Sequence, residues 1–391
     1  MKRWFGLLVL AALLMGLTAA VTLAQPLRTY QVQDGDSLWT IAVQFFRDGT
    51  KWTEIAEANG IDVKNPRGLR VGETLIIPLG AAPLPATTRG PAIPQDKGYL
   101  VEEISDGLYW VTEGVYQVVF LTTGEGVIVV DAPPSIGQNI LNAIAEVTDE
   151  PITHVVYSHS HADHIGAASI YPDDATYIAH EEALNTLTRT DANDPNRTFP
   201  FGLFVGGSPV PLPTVTFSDS FTLEVGNQTL ELEYRGPNHE PGNIFVYAPR
   251  QKVLMLVDIA FPGWVPFRDL ALAESIPGYV QAYDEALSFD FDTYIGGHLT
   301  RLGTREDVEI GREYIQDVRA NAARALQTVD FFAVAQRTGF ANLWLLLDTY
   351  LNTLAQTCTD LTLPNWIDRL GGADVWTFSH CLVMAESLRV E

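Results

Sequence analysis

Apolar side chains recur at helical spacing just after residue 37. Leu38, Ile41, Ala42 and Phe45 share one helical face, and Trp52, Ile55 and Ala56 mark a second helix that Asn59-Gly60 stops. The polar turn at 34–37 supplies an N-cap for the first helix. A short strand at 29–33 precedes the pair, and another at 73–78 follows it. The predicted order is therefore strand, helix, helix, strand.

The pattern then breaks. Residues 80–98 are proline-rich and lack any apolar repeat, which predicts an extended linker. From Tyr99 the period changes to that of short strands separated by glycine turns, at 107–114, 115–134, 153–158, 221–236, 243–258 and 291–298. An amphipathic helix is predicted at 136–147. Strand pairs followed by helices, twice over, predict two sheets packed on each other with helices outside. Past Gly303 helical composition runs to the end, so residues 304–391 are expected to form a helical C-terminal extension.

Bulk numbers narrow the class. A chain of 391 residues, 47% apolar and 18% charged, is globular and longer than one ordinary domain. A formal charge of −24 argues against nucleic acid and against an anionic membrane surface as partners. Lys2 and Arg3 precede an apolar run from Trp4 to Ala24, the layout of a secretory signal over residues 1–24. A retained anchor is the alternative, and only in that case would the chain contact a membrane. Export to the periplasm or the extracellular envelope is the expectation. Cys358 and Cys381 can pair in an oxidising compartment, or stand as two buried thiols.

The chemistry concentrates at 159–164, His-Ser-His-Ala-Asp-His, in a chain with eight histidines in all. An apolar strand runs out into this cluster. Side chains at i and i+2 of an extended segment share a face, so His159 and His161 can converge on one ion. Asp163 and His164 lie past the turn and can aim at a second. His239 in a turn, Asp258 at the end of an apolar strand and His298 at the end of another are further ligand-type residues. An unpaired carboxylate at an apolar strand end is costly to bury, so Asp258 reads with the cluster rather than with the core.

Two resemblances follow. Val32-x-x-Gly-Asp-Ser-Leu-Trp39-x-Ile41-Ala42, Glu54–Ile61 and Val71–Pro78 closely resemble a LysM domain, over residues 29–79. That likeness implies binding of N-acetylglucosamine glycans such as peptidoglycan, with Gly35, Asp36, Ser37, Asn59, Gly60 and Ile61 as the candidate contacts. The set His159, His161, Asp163, His164, His239, Asp258, His298 is similar to that of the metallo-β-lactamase fold superfamily, over residues 99–303. The implied fold is α/β: an αβ/βα sandwich, preceded here by the small βααβ LysM domain and followed by the helical extension. The resemblance implies two zinc ions, one held by His159, His161 and His239, the other by Asp163, His164 and His298. Asp258 would bridge them, and Asp131 would orient a ligand imidazole.

Such a site uses a hydroxide held between the metals on a small-molecule ester, lactone, thioester, β-lactam or phosphoester. Asp163 would orient the nucleophile or shuttle a proton, which makes it the candidate catalytic residue. Two departures matter. The usual Gly-His-Thr-Pro-Gly turn is Asn-His-Glu-Pro-Gly at 238–242. The bridging position holds aspartate, as in glyoxalase-II-like thioesterases, lactonases and phosphodiesterases, where the best-known β-lactamases have cysteine. Iron-containing oxidoreductases or dioxygenases of the same fold are an alternative, as is a peptidoglycan-binding protein with an inactive scaffold. Phe201, Phe204, Trp264, Phe267 and Arg268 are candidates for lining the mouth.

Overall fold

The computed structural model describes residues 28–33, 35–46, 49–64, 68–78, 84–189 and 209–391. The expected signal at 1–24 lies outside them, as do Phe201 and Phe204. The chain divides into two compact units, one ending at Pro83 and the other beginning at Leu84.

In the first unit, strand Arg28–Gln31 pairs antiparallel with Thr74–Ile77, and helices Leu38–Phe46 and Trp52–Ala58 lie between them in sequence. Leu38, Ile41, Ala42 and Phe45 are buried against Ile55, Ala56, Leu75 and Ile77, so the helical periodicity forms this core. Gly60 ends the second helix at φ +63°, where a Cβ would be strained. The Asn59 side chain accepts from the Ile76 amide at 2.6 Å and donates to the Ile76 carbonyl at 2.6 Å, as a neighbouring strand would.

Two sheets dominate the second unit. Seven strands run in sequence order from Leu100–Ser105 to Val215–Phe217, and six from Ser220–Val225 to Gly303–Thr304. Period-two alternation sorts their side chains. Ile128 and Val130 point into the layer between the sheets, with Val246, Met255 and Ile295. Val127 and Val129 point outward, under helix Asn139–Val147. Both faces are covered, so the strand is apolar throughout. This is the two-sheet sandwich with outer helices that the pattern predicts.

Strand direction places the chemistry. Val127–Val130, Ile152–Val156 and Thr176–His180 are parallel neighbours. In the other sheet Val253–Met255 is parallel to Thr293–Ile295. Parallel strands deliver their C-terminal ends to one edge of a sheet. Asp131, the 159–164 cluster, Asp258 and His298 all follow such ends.

Helices Arg305–Thr328, Phe331–Thr338, Leu343–Trp366 and Ala373–Val390 form the C-terminal extension. They bury Tyr314, Val318, Leu354 and Met384 against helix Ile276–Ala286 and the second sheet. Cys358 and Cys381 are joined as a disulfide across two of these helices. The proline-rich stretch differs from a free tether. From Leu84 on it is part of the second unit, where Arg301 Nε donates to the Thr87 carbonyl at 2.7 Å and Thr87 Oγ1 donates to the Arg369 carbonyl at 3.1 Å. A chain with few amide donors still offers carbonyls: Arg301 meets that of Thr87 and the Thr300 hydroxyl that of Thr88.

One segment runs against the usual hand. Asp269, Leu270, Ala271 and Leu272 all have φ between +55° and +58°. The turn Arg268–Leu272 is helical and left-handed. For residues with a Cβ this costs about 1–2 kcal/mol each, so surrounding contacts must hold it.

Candidate metal centre

Asp131 follows its strand with φ +68° and is fully buried. Its carboxylate accepts from the Ser158 amide at 2.7 Å and the Ser158 hydroxyl at 2.6 Å. That hydroxyl proton is committed to Asp131, so the 3.0 Å contact between Ser158 Oγ and His159 Nδ1 requires Nδ1 to donate. His159 Nε2 then carries its lone pair, buried and with no hydrogen-bond partner. Asp131 thus acts on His159 through Ser158. Burial pushes the Asp131 carboxyl up to about 6, with His164 and Ser158 opposing the rise.

His161 precedes the short helix Ala162–Ile165, which turns Asp163 and His164 toward the same point. His239 is held by its own turn: Asn243 Nδ2 donates to Asn238 Oδ1 and to the Val257 carbonyl, both at 3.0 Å, tying the turn to the strand before Asp258. Asp258 sits at φ +62°. His298 follows Gly297, whose φ of +81° and lack of a Cβ leave room for Val257 and His164.

These elements bring the seven residues together. Ligand-type atoms of His159, His161, His239 and Asp258 lie within 4.8 Å of one another, and so do those of Asp163, His164 and His298. His239 Nε2 stands 2.9 Å from His161 Nδ1, and His164 Nε2 is 2.9 Å from His298 Nε2. Asp258 joins the groups: Oδ2 is 3.2 Å from both His164 Nε2 and His239 Nε2, and Oδ1 is 3.0 Å from His298 Nε2. Donor atoms about 2.0–2.1 Å from a zinc-sized ion stand roughly 3.3 Å apart. The spacing and the unpartnered His159 nitrogen fit divalent metal binding by the cluster.

The electrostatics agree. Burial holds His239 down at about 4, and burial with its neighbouring imidazoles puts His159 well below its ordinary value. Neutral imidazole is the ligating form. Burial alone would lower His164 too, but the Asp258 and Asp163 carboxylates outweigh it and lift His164 to about 9. Burial would raise Asp258, yet His298, His164 and His239 hold it well below the carboxylate range. A bound cation would displace the His164 proton.

Two further residues belong to the site. Glu240, 1% exposed, accepts from the Ser160 amide at 2.9 Å and the Ser160 hydroxyl at 2.8 Å, locking the His239 turn to the 159–161 segment. The departure from the usual turn at 238–242 was its only signal in the sequence. Tyr116 pairs main chain with His298, holds its ring 4.5 Å from the imidazole at a tilt of 50°, and donates to Asp163 Oδ2 at 3.3 Å. Burial, with Asp163 beside it, raises this phenol and keeps it protonated. Nothing local in the sequence marks it.

Of the expected mouth residues, Trp264 lies over Gly371 and Phe267 is half exposed beside Trp376, ring centroids 5.1 Å apart. Arg268 is exposed and paired with Asp269 at 3.2 Å. In the first unit Ile61 is in the core and Asn59 is engaged with Ile76, which leaves Gly35, Ser37 and Gly60 exposed among the expected glycan contacts. Asp36 is part-buried, and its carboxylate accepts from Tyr30 at 2.7 Å.

The fold and these groups define a metallo-β-lactamase superfamily domain, and residues 111–298 match the model of that superfamily. Residues 30–78 match the LysM domain, so the chain carries both. Among curated proteins it is 25% identical over 209 residues to the 2,4-dinitroanisole O-demethylase subunit alpha of Nocardioides sp. (strain JS1661), covering 52% of this chain and 59% of that one. It is 24% identical over 226 residues to the linear primary-alkylsulfatase of Pseudomonas sp. (strain ATCC 19151), covering 47% of this chain and 42% of that one. The chain thus spans about half the length of these relatives. The solved inverting sec-alkylsulfatase Pisa1 from Pseudomonas sp. shares the fold at 17% identity and a TM-score of 0.51, over 74% of this chain and 50% of that one. No described helix is long and apolar enough to cross a membrane.

Proposed function

We propose that this chain is an exported, cell-wall-associated hydrolase with two zinc ions, cleaving an ester-type bond in a small molecule. The observation that carries the reading is Asp258, one carboxylate within 3.2 Å of imidazoles from both donor groups. His159, His161 and His239 would hold one ion, and Asp163, His164 and His298 the other. Bound zinc supplies Lewis acidity and a reactive water at neutral pH. Asp163, whose side chain is 28% exposed against 18% for His298 and 7% for Asp258, orients the attacking water and takes its proton. The protonated Tyr116 hydroxyl, turned from Asp163 Oδ2 to which it donates at 3.3 Å, would offer its hydrogen bond to an oxygen of the substrate.

The relatives are named for a methyl aryl ether and for alkyl sulfates. They extend the candidate bonds from esters, lactones, thioesters, β-lactams and phosphoesters to sulfate esters. The test is metal analysis of the purified chain, then a panel of chromogenic esters, lactones, nitrocefin, phosphodiesters and alkyl sulfates with and without chelator. Turnover that survives complete metal removal would refute the reading. Tyr116→Phe is expected to lower turnover about tenfold, the size of one hydrogen bond, with metal content unchanged. A fall in metal content instead would make Tyr116 a structural prop for His298.

The LysM unit is the proposed tether to peptidoglycan. Deleting residues 30–78 is expected to abolish co-sedimentation with peptidoglycan while turnover of a soluble substrate stays within about twofold, a spread under 0.5 kcal/mol. A truncated chain that still pelleted would place the glycan contact elsewhere.

A further inference from the structure

The segment after Asp258 leaves the metal centre and comes back to it. Phe261 sits with its ring 5.9 Å from that of His298. Val265 then donates its amide to the Gly371 carbonyl at 3.0 Å, crossing onto the helical extension. The left-handed turn follows. Beyond it, the Glu274 amide donates to the His239 carbonyl at 2.9 Å and the Ser275 amide to the Asn238 carbonyl at 3.2 Å. The turn therefore ends two residues before the amide that holds the His239 backbone.

Its entrance is held by the last helix. His380 is fully buried, with Nε2 at 2.9 Å from the Phe267 carbonyl. A carbonyl only accepts, so Nε2 carries the proton and Nδ1 accepts from the Tyr314 hydroxyl at 2.7 Å. The adjacent Ser379 Oγ accepts from the Asp269 amide at 2.9 Å. Cys381, next along, is bonded to Cys358 of the neighbouring helix. Leu270 and Ala271 are buried beneath the bundle, while Leu272 is 55% exposed. Four consecutive side-chain-bearing residues in the left-handed region persist only where both ends are held.

We propose that His380 is a positioning residue for the metal centre: it clamps the entrance of the left-handed turn, and the turn fixes His239 through the amides of Glu274 and Ser275. The helical extension thereby builds part of the site. Without the clamp, residues 269–272 relax toward ordinary backbone and the two amides leave the His239 turn. This rests on the seven-residue cluster being a metal site.

The test is cobalt(II) binding to the full chain, read by competition with a chelator and by the visible spectrum of the bound ion. His380→Ala is expected to bind cobalt roughly tenfold more weakly, as when a supporting partner of a metal ligand is removed, with a shifted absorption band. Adding Leu272→Gly to that variant is expected to restore affinity, because glycine adopts positive φ freely and the exposed leucine side chain contributes little packing. Damage to the core alone would not be rescued this way, so a loss that persists in the double variant overturns the proposal. Equal affinity and an unchanged spectrum in His380→Ala also overturn it, while the metal reading stands. A wild-type chain that takes up no cobalt removes both. If His380→Ala does not fold, Ser379→Ala, which removes the acceptor for the Asp269 amide and a local bond to the Trp376 carbonyl, is expected to weaken binding in the same direction. Unchanged binding there overturns the proposal.

Discussion

Replacing Asp258 with asparagine is expected to cost both metal and activity. Asp258 contacts imidazoles of both donor groups, at 3.0 Å through Oδ1 and 3.2 Å through Oδ2. The amide keeps the shape but loses the negative charge, and it turns an N–H₂ toward one group. His164 would also lose the main carboxylate that opposes its burial. Two imidazole sets facing each other across a neutral amide have little to draw a second cation between them. On the proposed two-ion reading, bound divalent metal should fall to one ion per chain or none. Turnover of the best substrate should fall on the order of 10³-fold, about 4 kcal/mol of lost charge stabilisation. Elemental analysis and initial rates on the same preparation check this. An asparagine variant with full metal content and turnover within threefold of the parent would show that Asp258 does not join the two groups.

The second large effect is loss of stability in acid. His380 is buried in the helical extension, away from the metal cluster, and burial drives its imidazole down to about 4 from an ordinary 6.5. The unfolded chain takes up a proton at this side chain below 6.5, whereas the folded chain does so only near 4. Between those values the unfolded state binds more protons, so stability rises with pH and is lost as pH falls from about 6.5 to 4. A shift of that size corresponds to roughly 3 kcal/mol. His159, His164 and His239 also have shifted proton affinities without metal, so the readout is a difference. In chelator, the denaturation free energy of the parent should fall more steeply with acid than that of His380→Gln, by close to 1.4 kcal/mol per pH unit at most. Parallel curves would mean that His380 is not held neutral by burial.

Much of the site could be read from the chain because its strongest element is local. His159 and His161 share a face by strand geometry, and Asp163 and His164 follow within one turn. The LysM core is a helical stripe that Ile41, Ala42 and Ile55 announce by spacing alone. Tyr116 and Glu240 lack such a signal. Their partners Asp163 and Ser160 lie 47 and 80 positions away, and no periodicity spans that distance. Arg268-Asp-Leu-Ala-Leu272 is misleading, since arginine, leucine and alanine are good formers of ordinary right-handed helix. Its hand is set by the clamps at Phe267 and Asp269 and by the Glu274 amide, contacts that local propensity does not register.

Residue order alone determined the strands, the helical stripes and the ligand types, because these depend on neighbours within a few positions. Tertiary structure decided that Asp258 and His298 face the 159–164 cluster, since parallel strands from two sheets end at one edge, and that His239 joins them from the turn between two antiparallel strands. It also joined Cys358 to Cys381 and tied Thr87 and Thr88 to Thr300, Arg301 and Arg369 within the second unit. Those outcomes depend on distances across the packed core, which the linear chain does not encode locally.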